Sequence, residues 1–493
     1  MLEANPPVTS YPQYEIDFDQ RAMEMIVDMT ERLLVETGMD VPCEKFLERI
    51  KGRKGYTLRG GRVFFDRDLV KTHIEEQILK QAERRGKSAT TAAPSPSEWH
   101  INSGGYSLDV IDLDTDEIRP ATVKDLAELT RLADSYGMSG SNVVQPQDVR
   151  PMMRDIASCR GSFENGRNFI TNCHSHPDQT PYLIDMFNVV DKPFPVLIIT
   201  APPLHMAPEN LEEFLYVYDN HREDIERKRI IISQKIYNSP GIGGPITVAG
   251  NMALSFAESL GAHILFDLFD ERIDLPVNAG NTGPTDMRYA NYAFGSPRTH
   301  LFAYLGSRWM DCLAGVSGGS YQPGSAALWT SSSRMDEQAG LEKMACGLTA
   351  ALQGARSFVG AGNLCVDDLI GGAQMVLDVE MMNYIRELVE SFNPDKIIAS
   401  MDGVHEAILD VVNGNDIFLS HETTAGAFRR ITPSSDIFHR EKLRSWLSHR
   451  TTARDRARAV AKERIAKHDF RLTDGQLQEL ERIYTRADKG LAS

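Results

Sequence analysis

The sequence predicts an α/β protein built on a parallel (β/α)₈ barrel, flanked by an N-terminal helical and hairpin extension and by C-terminal helices. Three observations carry that expectation. Short apolar runs alternate with helix-patterned stretches through the middle of the chain, the runs number eight, and no Gly-x-Gly-x-x-Gly follows a strand to open a helix as a doubly wound nucleotide-binding sheet requires. The composition suits one large globular domain or a few smaller ones: of 493 residues, 42% are hydrophobic and 25% charged. The 53 basic residues against 69 acidic ones leave a net charge of −16, which repels polyphosphate and sets nucleic-acid binding aside.

Residues 1–100 form the extension. Between Asp19 and Gly38, apolar positions Met23, Ile26, Val27, Met29, Leu33 and Leu34 recur at helical spacing, with the glycine placed as a cap. A second helix runs from Pro42 to Ile50. Gly60-Gly61 then turns a hairpin whose return strand is Arg62-Val63-Phe64-Phe65, and a third helix spans Asp66 to about Arg85. The small-residue stretch 86–97 reads as a linker.

Residues 101–437 hold the barrel. Tyr106 to Ile118 makes a strand pair around Asp114-Thr115-Asp116, and Thr122-Val123-Lys124-Asp125 has the form of a capping box for a helix closed by Gly137. The strand candidates follow: Gly140 to Val144, Phe169 to Asn172, Val196 to Thr200, Ile230 to Ile236, Leu275 to Ala279, Leu313 to Ser317, Ser357 to Gly360 and Asp416 to Ser420. Leu211 to Asn220 and Met252 to Leu268 are among the helices between them. Gly241-Ile242-Gly243-Gly244-Pro245 reads as a tight turn into a helix starting near Thr247, because the proline removes an N–H that a phosphate cradle would need. Residues 438–493 are the most basic part of the chain and are expected to be helices packed on the barrel or on a second subunit. Met1 to Pro7 contains no basic region leading into an apolar core, and no apolar run is expected to reach the roughly 18 to 20 residues of a bilayer span. With six scattered cysteines and no Cys-x-x-Cys pair, a cytoplasmic protein with reduced thiols and no membrane contact is expected.

In such a barrel the working residues sit at the C-terminal ends of the strands. Those ends deliver His174 and His176, His205, Tyr237 and Asn238, Asn278, Tyr321, Asn363 and His421, a set rich in imidazole, amide and aromatic groups and poor in acids. His174 and His176 alternate at a strand end and could face one metal, as in a metal-dependent hydrolase barrel, with only His205 and His421 available as further ligands. Histidines lining a pocket are the simpler reading, and no metal is assigned. Asp336 to Glu342 opens a helix, where carboxylates favour the N-terminal dipole.

Several segments together resemble the trimethylamine methyltransferase family. They are Gly60-Gly61-Arg62-Val63 to Val70, Arg119-Pro120-Ala121-Thr122 to Asp125, Gly244-Pro245-Ile246-Thr247-Val248-Ala249-Gly250, Asp286-Met287-Arg288, Gly295-Ser296-Pro297, Asp336 to Glu342, and Phe418 to Thr424 followed by Phe428-Arg429. The resemblance implies a (β/α)₈ barrel that moves a methyl group from a methylated amine to the cobalt of a cognate corrinoid protein, with no cofactor bound by this chain itself. The family's archaeal founder carries pyrrolysine in the region corresponding to Tyr321 to Arg334, where this sequence has ordinary residues. Members without pyrrolysine resemble demethylases of quaternary amines, glycine betaine foremost.

The chemistry is consistent with that absence. A quaternary ammonium already carries the charge that makes its nitrogen a leaving group, so the protein must mainly position one N-methyl carbon for in-line attack. Aromatic faces would hold the head group, each contributing roughly 0.5 to 2 kcal/mol. A carboxylate against it would stabilise the ground state more than the transition state. Tyr237, Tyr321 and Trp329 are expected to form the cage, with Tyr106 reaching in from the N-terminal region. His174, His205, Asn278, Asn363 and His421 are expected to bind the substrate's carboxylate, His421 and His174 foremost. A trimethylamine methyltransferase, a hydrolase built on His174 and His176, and a betaine-binding protein without catalysis are the alternatives. A homo-oligomer is expected.

Overall fold

The computed structural model describes residues 20–90, 99–169, 176–277, 283–313, 326–352, 355–391, 403–414, 417–432 and 434–492. In the extension, α1 (Gln20–Arg32) passes into a π-helical turn that Gly38 closes with φ +69° and a 2.8 Å bond from its N–H to Leu33 O. β1 (Met39–Asp40), α2 (Glu44–Ile50) and the hairpin β2 (Tyr56–Arg59) and β3 (Arg62–Phe65) follow. The next helix, α3 (Arg67–Thr90), continues into the stretch read as a linker. One interior glycine, Gly86, costs only about 1 kcal/mol of helix propensity.

The middle of the chain begins with β4 (His100–Ser103), β5 (Asp109–Ile111), β6 (Ile118–Pro120), α4 (Val123–Ser135), α5 (Arg154–Asn165) and α6 (Thr180–Val189). It continues with β7 (Phe194–Ala201), β8 (His205–Met206), α7 (Pro208–Asn220), α8 (Arg222–Glu226), β9 (Ile230–Ile236) and α9 (Val248–Phe269). Then come β10 (Thr285–Asp286), β11 (Asn291–Tyr292), α10 (Pro297–Leu313), β12 (Ala326–Ala327), α11 (Glu337–Leu352), β13 (Ser357–Ala361), β14 (Asn363–Leu364), β15 (Leu369–Gly371) and α12 (Gly372–Ser391). The later helices are α13 (Val404–Gly414), α14 (Glu422–Ile431), α15 (Leu443–His449), α16 (Ala453–Lys467) and α17 (Asp474–Gly490). The expected capping box opens α4: Thr122 Oγ1 accepts Asp125 N–H at 3.3 Å and Asp125 Oδ2 accepts Thr122 N–H at 2.9 Å. Arg119 clamps that carboxylate and Asp112, at 2.7 and 2.8 Å.

The protein is mixed α/β, and none of its four sheets closes among the described residues. β7 and β9 run parallel in unbroken register from Phe194 opposite Ile230 to Thr200 opposite Ile236, with α7 in the crossover. β13 lies between β12 and β4, parallel to both. A parallel bridge joins Gly140 to Phe169, Ser139 N–H donates to Asn102 Oδ1 at 3.1 Å, and Gln234 Nε2 donates to Pro276 O at 2.6 Å.

Three strand expectations need correction. Ile417 to Ser420 form a turn into α14 rather than a strand, and this apolar run is exposed, Ile417 by 59% and Leu419 by 81%. The neighbour of β13 is instead β4, whose polar His-Ile-Asn-Ser sequence gave no apolar run to find. Leu313 ends a helix, and the rest of the candidate Leu313 to Ser317 lies outside the described residues. Leu275 to Val277 pair in no described ladder, while 278–279 and 170–172 also lie outside.

One apolar core runs from Ile26 of α1 to Leu491 beyond α17, with α9 through its middle. This 22-residue helix is apolar enough by composition to cross a membrane, contrary to the expectation that no such run exists, and 94% of its apolar window is buried inside the fold. A second core joins α4 and α12 to α16, so the basic tail packs on the same body. Between α11 and α12, Lys343 and Asp378 make a buried ion pair at 2.8 Å. Lys343 also donates to Gly360 O at 3.1 Å, and Asp378 accepts Gly362 N–H at 2.7 Å and Gln374 Nε2 at 2.7 Å. The pair thereby fixes the C-terminal end of β13.

Candidate active site

The C-terminal ends of the parallel strands carry most of the described candidates. Past β4, Gly104 and Gly105 thread a gap that admits no side chain: a β-carbon on Gly104 would stand 1.7 Å from Asn363 Oδ1, and one on Gly105 2.4 Å from Ser141 Oγ. Tyr106, at φ +65°, follows and donates its N–H to Asn142 O at 2.9 Å. The same crossing therefore brings Tyr106 and Asn363 to one end of the fold. Asn363 is 3% exposed, and its Oδ1 has no hydrogen-bond partner among the described residues.

After β7 the chain turns back at Leu204, at φ +53°. Leu204 N–H donates to the buried Glu258 Oε1 at 3.0 Å and Leu204 O accepts Asp40 N–H at 2.9 Å. His205 follows, with Nδ1 2.8 Å from Asp40 Oδ2. The extension thus orients this imidazole, which a reading of strand ends alone could not foresee. Burial pushes the Glu258 carboxyl up to about 8, against the Leu204 N–H bond that favours its anion.

Along β9, Ile230, Gln234 and Ile236 are buried while Ile231 and Lys235 are exposed on the other face. Gln234 donates to Ser259 O of α9, which fixes that face toward the helix. Lys235 Nζ stands 4.9 Å from the Tyr237 ring centroid, so this cage candidate already holds a cation on its face. Lys235 makes no ion pair among the described residues. Desolvation and Asp368 push the Asp367 carboxyl up while Lys235 pulls it back, which places a carboxyl within the lysine's field. Lys235 is the residue that reading strand ends misses. A lysine one position from the end of a strand, alternating with the inward-facing Gln234 and Ile236, was the available signal.

Asn238 is buried and locks the turn beyond β9, donating to Ser255 Oγ at 3.0 Å and accepting from Asn251 Nδ2 at 3.0 Å. The N–H groups of Ile242, Gly243 and Gly244 all converge on Ser239 O, at 3.2, 3.0 and 3.2 Å. The tight-turn reading therefore holds, and the donors a phosphate cradle would use are already engaged.

Trp329 lies beyond β12 and stacks on Phe294, with centroids 4.1 Å apart and planes 12° apart, while Tyr292 stacks at 5.3 Å on Phe294. Glu342 holds this segment, accepting Thr330 Oγ1 at 2.6 Å and Ser331 N–H at 2.8 Å. Asp336 caps α11 through Ala339 N–H at 3.0 Å and accepts Ser332 Oγ at 2.7 Å. These carboxylates of the Asp336 to Glu342 segment thus serve local structure.

Two other candidates cap local turns. His421 caps α14, its Nδ1 2.8 Å from Thr423 Oγ1, and no described strand ends at it. His176 caps the turn Pro177–Gln179, its Nδ1 accepting Asp178 N–H at 3.2 Å. His174, Asn278 and Tyr321 lie outside the described residues. Among the described residues, no three His, Cys, Asp or Glu side chains converge to hold a metal ion.

A family model described as trimethylamine methyltransferase (MTTB) matches residues 2–488. The trimethylamine methyltransferase MttB of Desulfitobacterium hafniense (strain DSM 10664 / DCB-2) is 24% identical over 460 residues, covering 87% of this chain and 85% of that protein.

Proposed function

The chain belongs to the trimethylamine methyltransferase (MTTB) family, and from that premise we propose that it moves an N-methyl group from a quaternary amine, glycine betaine or a related betaine, to the Co(I) of a cognate corrinoid protein. The near full-length family match carries the methyl-transfer part. The ordinary residues from Tyr321 to Arg334, where the founder has pyrrolysine, favour a quaternary donor.

In the reaction the C–N bond breaks, its electron pair stays on nitrogen to give a neutral tertiary amine, and the acceptor's electron pair forms the new bond to carbon. Nitrogen starts positive, so no proton is delivered. The chain's task is orientation. Trp329, backed by Phe294 and Tyr292, presents an aromatic face for the ammonium head, with Tyr106 and the wall at Asn363 at the same end of the fold. Lys235 serves the substrate's carboxylate, a part that strand-end reasoning assigns to His174, His205, Asn278, Asn363 and His421. A charge-assisted bond there selects a betaine over an amine lacking the anion. Tyr237 acts by holding Lys235 rather than by holding the head group.

The reading includes a (β/α)₈ barrel between the extension and the tail. It is supported by two runs of neighbours, 326–327, 357–361, 100–103, 139–140 and 169, and 194–201, 230–236 and 276, an order that would make β4 the first strand and β13 the last. The chain would work in the cytoplasm as a homo-oligomer, and the exposed apolar residues of α13 and α14 suit self-association. The test incubates the protein with reduced free cobalamin and a panel of quaternary and tertiary amines, following methylcobalamin by absorbance. Turnover of a carboxylated quaternary amine supports the proposal. Turnover of trimethylamine alone overturns the quaternary reading, and no turnover of any donor overturns methyl transfer.

A further inference from the structure

A second charged recess lies at the opposite ends of the strands. A cavity of about 1060 Å³ opens around the first residues of β4 and β13, the residues just before Phe169 and β7, and side chains of α12 and α16. Its charged lining is basic: Arg167, Lys192, Arg386, Arg464 and the titratable His100, with no described acidic residue among its lining. Arg167 is neutralised by Asp134 and Asp469. The other three cations form no ion pair among the described residues. Arg386 donates to Asn383 Oδ1 at 3.2 Å, Arg464 to Ser135 O at 3.1 Å while stacking 3.8 Å over Tyr136, and Lys192 to Phe169 O at 2.7 Å.

These three cations are half-buried without an ion-paired carboxylate, Asp134 acting on Lys192 and Glu463 on Arg464 only at a distance, and partial burial denies them full hydration. Such an arrangement is relieved by an anion. In a chain of net charge −16 with abundant surface carboxylates, the absence of a described one from this lining is a local departure from the overall charge. Two guanidinium forks and an ammonium match the oxygens of a phosphate group, and the volume exceeds what a simple inorganic ion fills. We propose that this recess binds a phosphate-bearing small molecule, a phosphate monoester or diphosphate, and so ties α16 of the tail and α12 to the strands. The site is remote from the C-terminal strand ends and does not depend on the methyl-transfer reading.

Pyrophosphate is the probe, titrated by calorimetry into the full chain at fixed ionic strength, with citrate as a parallel arm. The expected result is one saturable equivalent of pyrophosphate, weakened at least tenfold by Arg386→Gln and by Lys192→Gln. Arg53→Gln, which removes the same charge outside the recess, leaves it unchanged. Circular dichroism and demethylation rates of Arg386→Gln, expected to match the parent, separate lost binding from lost fold. No saturable binding, or equal weakening by Arg53→Gln, overturns the site. Citrate binding as tightly as pyrophosphate overturns its assignment to phosphate.

Discussion

Lys343 Nζ lies 2.8 Å from Asp378 Oδ2 with both side chains buried, and the two groups together bind the backbone at Gly360 and Gly362. Removing one member leaves an uncompensated charge in the core. Lys343→Met is expected to destabilise the protein by about 3 to 5 kcal/mol, whereas adding Asp378→Leu restores much of that loss. Chemical denaturation of the single and double variants checks this. Equal destabilisation by both would show that backbone anchoring, not charge compensation, dominates.

Glu258 predicts a pH dependence of stability. Its carboxyl is raised from an ordinary 4.5 to about 8, chiefly by burial, so the folded state holds a proton that the unfolded chain releases. The stability from that proton is complete below the ordinary value, is lost as pH rises toward about 8, and changes no further above it. Across that window each pH unit removes up to about 1.4 kcal/mol. Glu258→Gln keeps an acceptor for Leu204 N–H and removes the titration. The difference in melting temperature between parent and variant should therefore grow from pH 5 to 8, and parallel curves would refute the assignment.

Much of this architecture is legible in the sequence where local physics decides it. Ile230 to Ile236 is a strand over the residues expected, and Gly38 and Gly137 stop their helices with φ +69° each. Tertiary pairing overrides local signals elsewhere. β4 is a strand because β13 lies beside it, although His100 and Asn102 interrupt any apolar pattern. Ile417 to Leu419 have strand-like composition but no described partner strand, so they turn into a helix that His421 caps. The site is less legible for the same reason: the bond from His205 to Asp40 spans 165 residues, and the face of Tyr237 is taken by a lysine only two residues away.

Lys235 should govern recognition of the substrate's anion. Lys235→Met is expected to raise KM for a carboxylated betaine by about 10- to 150-fold, the equivalent of about 1.5 to 3 kcal/mol for a lost charged hydrogen bond. The KM for choline, which has the head group without the carboxylate, should be little changed. A similar rise for both substrates would remove Lys235 from that role.

Trp329 should govern the head group. Trp329→Phe keeps a ring on Phe294 and should cost only a few-fold in affinity, while Trp329→Leu loses the π face and about 0.5 to 2 kcal/mol. Calorimetric binding of a betaine to each variant, with folding checked by circular dichroism, decides this. Equal affinities of the Leu and Phe variants would place the ammonium elsewhere.

Methyl transfer from a quaternary nitrogen to cobalt is decided by following the methyl group itself. Glycine betaine labelled with ¹³C in its N-methyl groups is incubated with the protein and excess cob(I)alamin, and both products are followed by nuclear magnetic resonance. The prediction is labelled methylcobalamin and dimethylglycine appearing together in equal amounts, at a rate proportional to the protein added. Label remaining wholly in glycine betaine, while trimethylamine in the same assay yields methylcobalamin, would contradict it.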